Sequence, residues 1–253
     1  MEQEYENLRY EHRNDGDIVV VTIDRPNARN AIDRKTADEL NDAWERFDEG
    51  EAKVGVLAGA GGTFCAGADL KKMDLEDGPD GYLGMSRMRV SKPTIAAVEG
   101  HCVAGGLELA LWCDLRVAGE GATFGCFERR YGVPLVDGGT QRLPRIVGLG
   151  RALEMIETGR PVEAEEAYDW GLVNEVADEG DALDDAVETA ERIASFPQET
   201  VRTDRASVYD GLGSSLEDGM RTEAWHGSRS LSTGYEGARR FAEGEGRGGE
   251  GVE

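Results

Sequence analysis

A chain of 253 residues is long enough for one domain with an appendage and can bury roughly 70–75% of its unfolded surface, so no disulfide framework or metal staple is required. Its net charge of −23, from 51 acidic and 28 basic residues of which only five are Lys, excludes nucleic acid as a partner and predicts a highly saline cytoplasm that screens the self-repulsion, as in salt-loving microbes. No basic stretch leads into an apolar segment at the start, and no window approaches the roughly 18 apolar residues of a membrane span, which predicts a soluble, cytoplasmic protein.

In chain order, Leu8 to Arg13 and Asp17 to Ile23 alternate as two strands around the turn signal Asn14-Asp15-Gly16. The stretch 25–31 is a loop, after which Asp33 can cap a helix whose apolar positions Ala37, Leu40, Ala43, Trp44 and Phe47 keep helical spacing. Val54 to Ala58 is a short buried strand. Phe64 to Asp69 is a loop running into Leu70 to Met73, and the Gly/Asp-rich segment 76–81 is expected to be mobile. Strand Thr94 to Val98, helix 106–112 and strand Asp114 to Ala118 continue an α/β alternation. From Gly148 onward helices dominate: Arg151 to Thr158, Ala164 to Trp170, a strand at Leu172 to Val176, then Ala182 to Ser195, Glu199 to Gly211 and Leu216 to Ser230. The predicted organisation is an α/β core over 1–190, a helical region over 191–243 that covers the core or reaches a neighbouring subunit, and a disordered Gly/Glu tail over 244–253.

Cys65, Cys102, Cys113 and Cys126 form no CxxC pair and have no His at metal-ligand spacing, so they read as small buried residues in a reducing compartment. There is no GxSxG nucleophile turn and no GxxxxGK[ST] phosphate loop, and the glycines at 59 and 61 lead into Thr63 and Phe64 rather than a helix. His12, His101 and His226 are too scattered for a Ser-His-Asp relay, with His101 and Trp112 expected in the core. Carboxylates are the available acid–base groups. Two loops then stand out, Cys65-Ala66-Gly67-Ala68-Asp69 and Ala104-Gly105-Gly106-Leu107-Glu108. Each joins small residues to an acid, and the second opens a helix whose first turn has unpaired N–H groups. Either alone is an ordinary turn; together they offer two donors to one oxygen.

The segments FCAGADLKKM (64–73), KPTIAAVEG (92–100), AGGLELA (104–110), CDLRVA (113–118) and GGTQRLPR (138–145), with Thr158 to Val173, resemble the enoyl-CoA hydratase/isomerase, or crotonase, family in order from about residue 17 to Asn174. The resemblance implies an α/β fold, a spiral of β-β-α units, with a C-terminal helical region used in trimer contacts, as a homotrimer or dimer of trimers. It implies an acyl-CoA thioester substrate, no metal or redox cofactor, and amides of Ala68 and Gly105 on the thioester oxygen. By the same likeness Glu108 activates water and Glu128 delivers the α-proton in hydration of a trans-2-enoyl-CoA. An ion pair of Glu128 with Arg129 or Arg130 is the competing reading of that residue. Ala28, Ala66, Ala68, Asp69, Leu70 and Gly105 would line the path of coenzyme A. Lys71 and Lys72 would meet its phosphates or remain solvated, and Met85, Met88 and Val90 would line the acyl channel or pack in the core.

The departures cluster near the second acid. Phe127 stands where hydratases often have Pro, and Val133 to Asp137 replaces a Gly-rich run and adds a carboxylate. Asp137 therefore supports a rival reading as an isomerase or C–C lyase. A non-catalytic acyl-CoA-binding scaffold is the rival of another class. Ala104 replaces a Gly, a mild change if its φ is negative.

Overall fold

Residues 4–244 are described in this computed structural model, so the tail from 245 onward lies outside the described residues, while Gly244, expected within that tail, caps the last helix at φ 113°. Strands β1 (Leu8–Arg13) and β2 (Ile18–Ile23) form the expected hairpin, with Leu8 opposite Ile23 and Arg13 opposite Ile18. Asn14 and Asp15 turn the chain at φ 50° and 52°, a conformation their short polar side chains tolerate. All six residues of β2 are buried because the strand has a layer on each face. Val19, Val21 and Ile23 join one apolar cluster, Ile18 and Val20 the other.

Helix α1 (Arg34–Glu49) starts where Asp33 accepts from the Thr36 amide at 2.9 Å, and it lays Leu40, Ala43, Trp44 and Phe47 on the first cluster. Strands β3 (Val54–Gly59) and β4 (Thr94–Val98) extend the sheet in parallel, and β5 (His101–Val103) leaves it to begin a second one. Helix α2 (Gly105–Trp112) follows. The chain then repeats the step, with β6 (Leu115–Gly119) in the large sheet and β7 (Thr123–Gly125) in the small one. This recurrence of strand, strand and helix is the β-β-α spiral that the resemblance implies. Helices α3 (Gly139–Val147) and α4 (Leu149–Thr158) lead to β8 (Val162–Glu163), which pairs antiparallel with β7, and to α5 (Ala164–Asp169). Strand β9 (Glu175–Ala177) closes the large sheet in the order β1-β2-β3-β4-β6-β9.

The strand expected at 172–176 begins later, at Glu175. The amides of Leu172 and Val173 turn back to the Ala167 carbonyl, closing α5, and the Leu172 carbonyl accepts from Arg116 Nε at 2.6 Å, so neither residue is available to a ladder. Arg116 is buried and binds only carbonyls, those of Ala110, Cys113 and Asp114 as well as Leu172, at and beyond the C-terminal end of α2. His101, expected in the core, is exposed as the first residue of β5. Trp112 is buried, its ring 4.9 Å from that of Trp44. All four cysteines are buried and free.

Helix α6 (Ala182–Ala194) crosses the back of the large sheet on a stripe of Ala182, Ala186, Ala190 and Ala194, small side chains that let backbone approach backbone. The expected boundary at 190 cuts this stripe, and the change to helical packing comes after Ala194. Helices α7 (Gln198–Gly211) and α8 (Leu216–Arg229) pack on each other, and α9 (Leu231–Glu243) completes the region. Asp114 ties α7 to the core, accepting from Arg205 Nε at 2.7 Å and Tyr209 Oη at 2.5 Å. This region keeps Val208, Leu216, Met220, Trp225, Leu231 and Tyr235 exposed. Among the described residues no helix is long and apolar enough to cross a membrane.

Candidate active site

The two small-residue loops lie side by side because glycine lets them. Cys65 and Cys102 pair as a parallel bridge, with the Cys65 amide on the His101 carbonyl at 3.0 Å and the Val103 amide on the Cys65 carbonyl at 3.1 Å. A Cβ on Gly106 would lie 2.1 Å from the Cys65 carbonyl oxygen, and one on Gly67 would lie 2.8 Å from the Gly105 nitrogen. On its other side the first loop bridges Ile32 to Ala68, the Ile32 amide donating to Gly67 and the Asp69 amide to Ile32. That register turns the N–H of Ala68 away from Ile32. The amides of Ala68 and Gly105 find no acceptor among the described residues, and both residues line one cavity.

Ala104 makes the second turn. Its φ and ψ are 53° and −128°, so the substitution for Gly is not the mild one a negative φ would make it; the residue is strained, with its amide fixed on the Gly125 carbonyl at 2.8 Å. Helix α2 begins at the next residue and places Glu108 one turn in, facing the cavity.

The cavity is about 340 Å³, apolar in most of its wall, with Leu75, Leu83, Phe127, Tyr131, Val133 and Val136 among its lining. Four acidic residues line it, Asp69 at the donor loop and Glu108, Glu128 and Asp137 deeper in. Glu108 Oε1 accepts from the amides of Asp137 at 2.9 Å and Gly139 at 2.8 Å, the latter the first residue of α3. Burial nevertheless dominates and pushes its pKa up to about 7, against the pull of the Gly139 bond. Glu128 sits on the short 3-10 segment Phe127–Tyr131, buried, with neither carboxyl oxygen hydrogen-bonded; burial raises its pKa as well. The ion pair with Arg129 or Arg130 does not form. Arg129 Nε donates to the Ile156 carbonyl at 3.0 Å, and the Arg130 guanidinium lies over the Phe127 ring and donates to the Gly159 carbonyl at 3.3 Å. Asp137 is buried with Oδ1 accepting from Ser86 Oγ and from the Leu83 amide.

Ala66, Ala68, Asp69, Leu70 and Gly105 line the cavity as expected of them, but Ala28 and Lys71 do not. Ala28 belongs to a short 3-10 turn, half-buried, and Lys71 is exposed. Lys72 turns to Asp33 and bonds its carboxylate. Burial pushes Asp33 up, but the bonds from Lys72 and Thr36, with the charge of Arg25, outweigh it and bring the pKa down to about 2. Met85 and Val90 are core residues and Met88 packs against that core; none of the three lines the cavity. Sequence reasoning missed the amide of Gly139, because it read no helix over Gly139–Val147. It also missed Ser86, whose role depends on a contact 51 residues away.

A sequence model of the enoyl-CoA hydratase/isomerase family matches residues 13–246. The chain belongs to that family. It is 37% identical over 239 residues to a mevalonyl-coenzyme A hydratase of Aspergillus fumigatus, covering 89% of this chain and 88% of the relative. It is 36% identical over 238 residues to a probable mitochondrial enoyl-CoA hydratase of Dictyostelium discoideum, covering 90% and 86%. The crystal structure of an enoyl-CoA hydratase from Mycobacterium marinum superposes with a TM-score of 0.89 at 36% identity over 94% of this chain and 96% of the other. The family acts on acyl-CoA thioesters, and the relatives support activity of the hydratase class.

Proposed function

We propose that the protein hydrates trans-2-enoyl-CoA thioesters at the cavity between Glu108 and Glu128. The observation that carries this reading is the Glu128 carboxyl group, buried with both oxygens unpartnered in the cavity that also holds the two unpaired amides and Glu108. A buried carboxyl group without a partner costs free energy, and a substrate with a proton to exchange gives it one.

The thioester oxygen takes the N–H groups of Ala68 and Gly105. Glu108, with one oxygen held by two amides, keeps the other for a water molecule and accepts its proton as the water oxygen bonds Cβ. The electron pair of the Cα–Cβ double bond moves toward the carbonyl, and the negative charge is met by the two amides, each worth roughly 2.7–4 kcal/mol of barrier. The enolate then collapses as Cα takes the proton of Glu128. Glu108 ends protonated and Glu128 ionised, and proton exchange restores both. The scheme calls for one ionised and one protonated carboxyl group near neutrality, and burial brings both upward toward that range. No metal or redox cofactor enters it. We place this chemistry in a homotrimer or dimer of trimers, supported by the apolar side chains that α7 to α9 leave exposed.

Crotonyl-CoA hydration by Glu108→Gln, Glu128→Gln and Asp137→Asn variants tests the reading. Loss of turnover in both Glu variants, with activity retained by Asp137→Asn, is the expected result. Loss in Asp137→Asn alone overturns it and favours an isomerase or C–C lyase. Thioester binding without turnover by the unaltered protein favours a scaffold.

A further inference from the structure

Asp137 is a buried carboxyl group in an apolar wall, and only half of it is used. Oδ1 accepts from Ser86 Oγ and from the Leu83 amide at 3.2 Å, which fixes the plane of the group. Oδ2 has no partner among the described residues, and the side chain lines the cavity. The backbone on either side is held as firmly. The Asp137 amide donates to Glu108 Oε1, and its carbonyl accepts from Arg142 at 2.9 Å, while a second nitrogen of that guanidinium reaches the Ser86 carbonyl at 2.6 Å. Neither the side chain nor its loop is free to turn the spare oxygen elsewhere. The cavity wall includes the apolar Leu83, Val133, Pro134 and Val136, and the hydroxyl groups of the lining Tyr82 and Tyr131 make no hydrogen bond to that oxygen.

An acyl chain entering this cavity displaces water from Oδ2. A plain alkyl chain leaves that oxygen without a donor, whereas a chain bearing a hydroxyl group satisfies it. The Asp137 amide bonds the carboxylate that acts at Cβ in the reading above, and its side chain lines the same cavity, within which the acyl carbons beyond Cβ would run. We infer that Asp137 is a specificity-determining residue, and that the preferred substrates carry a hydrogen-bond donor, a hydroxyl group on C4 or just beyond it, rather than a simple alkyl tail. This inference rests on the acyl-CoA hydratase reading above and narrows its substrate class.

The test compares equilibrium binding of three saturated thioesters, butyryl-CoA, 4-hydroxybutyryl-CoA and 4-methoxybutyryl-CoA, to the full chain by calorimetry. The unaltered protein is expected to bind the hydroxylated ligand about tenfold or more tightly than butyryl-CoA. Asp137→Ala removes that preference. Asp137→Asn keeps an oxygen for Ser86 and Leu83 but turns the spare acceptor into an N–H donor, so binding of the hydroxy ligand weakens relative to the methoxy ligand, which only accepts. Should Asp137→Ala fail to fold, the unaltered protein and Asp137→Asn still decide. Equal or tighter binding of butyryl-CoA by the unaltered protein, or an equal change for all three ligands in Asp137→Asn, overturns the inference. Hydration of crotonyl-CoA and 4-hydroxycrotonyl-CoA is measured alongside. A binding preference without hydration of either sinks the hydratase reading and leaves the role of Asp137 standing; hydration without the preference does the reverse.

Discussion

Glu108 and Glu128 face one cavity from walls that are built differently. Glu108 stands on the first turn of a regular helix, with one oxygen held by two amides, one of them at the start of α3. Glu128 stands on a five-residue 3-10 segment, and its carboxyl group is held by nothing but the side chains around it. A pinned acid offers one oxygen in a fixed direction, which suits orienting water. An unpinned one can follow a carbon that changes geometry as it receives a proton. The difference teaches that preorganisation here is given to one acid and withheld from the other.

The largest effects come from removing either member. Glu108→Gln and Glu128→Gln should each lower kcat for crotonyl-CoA by about 10²–10⁴-fold. The contrast predicts that Glu108→Gln also loosens the bonds to Asp137 and Gly139, whereas Glu128→Gln breaks no bond; steady-state kinetics beside urea unfolding show whether Glu108→Gln is the less stable of the two. Next is Gly106→Ala, whose methyl group would meet the Cys65 carbonyl at 2.1 Å and separate the two donor loops. It should cost kcat about 10²-fold or more with both acids in place, read from kinetics on protein whose circular dichroism is unchanged.

Stability against pH sharpens the comparison further. Glu108 has a pKa of about 7 in the folded chain against an ordinary 4.5, so between those values the folded state holds a proton that the unfolded state has released. The unfolding free energy therefore falls as pH rises through this window, by roughly 3 kcal/mol in all. Unfolding from pH 4 to 8 should show this decline in the parent and lose most of it in Glu108→Gln. The smallest effect is expected at Ala104, where Gly relieves a positive φ and should stabilise the fold by about 1 kcal/mol, measured by chemical denaturation.

Much of this arrangement is legible in the chain itself. Gly105, Gly106 and Glu108 are adjacent, so the turn, its donors and its acid can be read from local order alone, and β1, β2 and α1 follow from alternation, the Asn-Asp-Gly turn and the Asp33 cap. What escapes is set by distance. That Glu128 goes unpaired depends on carbonyls of Ile156 and Gly159 drawing its arginines away, and that Lys72 is already engaged depends on Asp33, 39 residues earlier. Helix α3 escapes for a different reason, since Pro144 blunts its helical signal, and α9, within the region expected to be helical, has no bounds of its own in the sequence because Gly234 and Gly237 do the same there.

Arg116 has a consequence for the oxyanion. It carries a positive charge into the interior with no carboxylate in direct contact among the described residues, the Asp114 carboxylate acting on it without an ion pair, and it lies on carbonyls at the C-terminal end of α2. An isolated helix presents opposite partial charges at its two ends, and over the eight residues of α2 they largely cancel at a distance. With the guanidinium bonded to carbonyls at the negative end, that end is offset, while the amide end of the helix stays open toward Gly105. In the proposed reaction, Arg116 would thus favour negative charge on the thioester oxygen from the far end of the helix, without touching it.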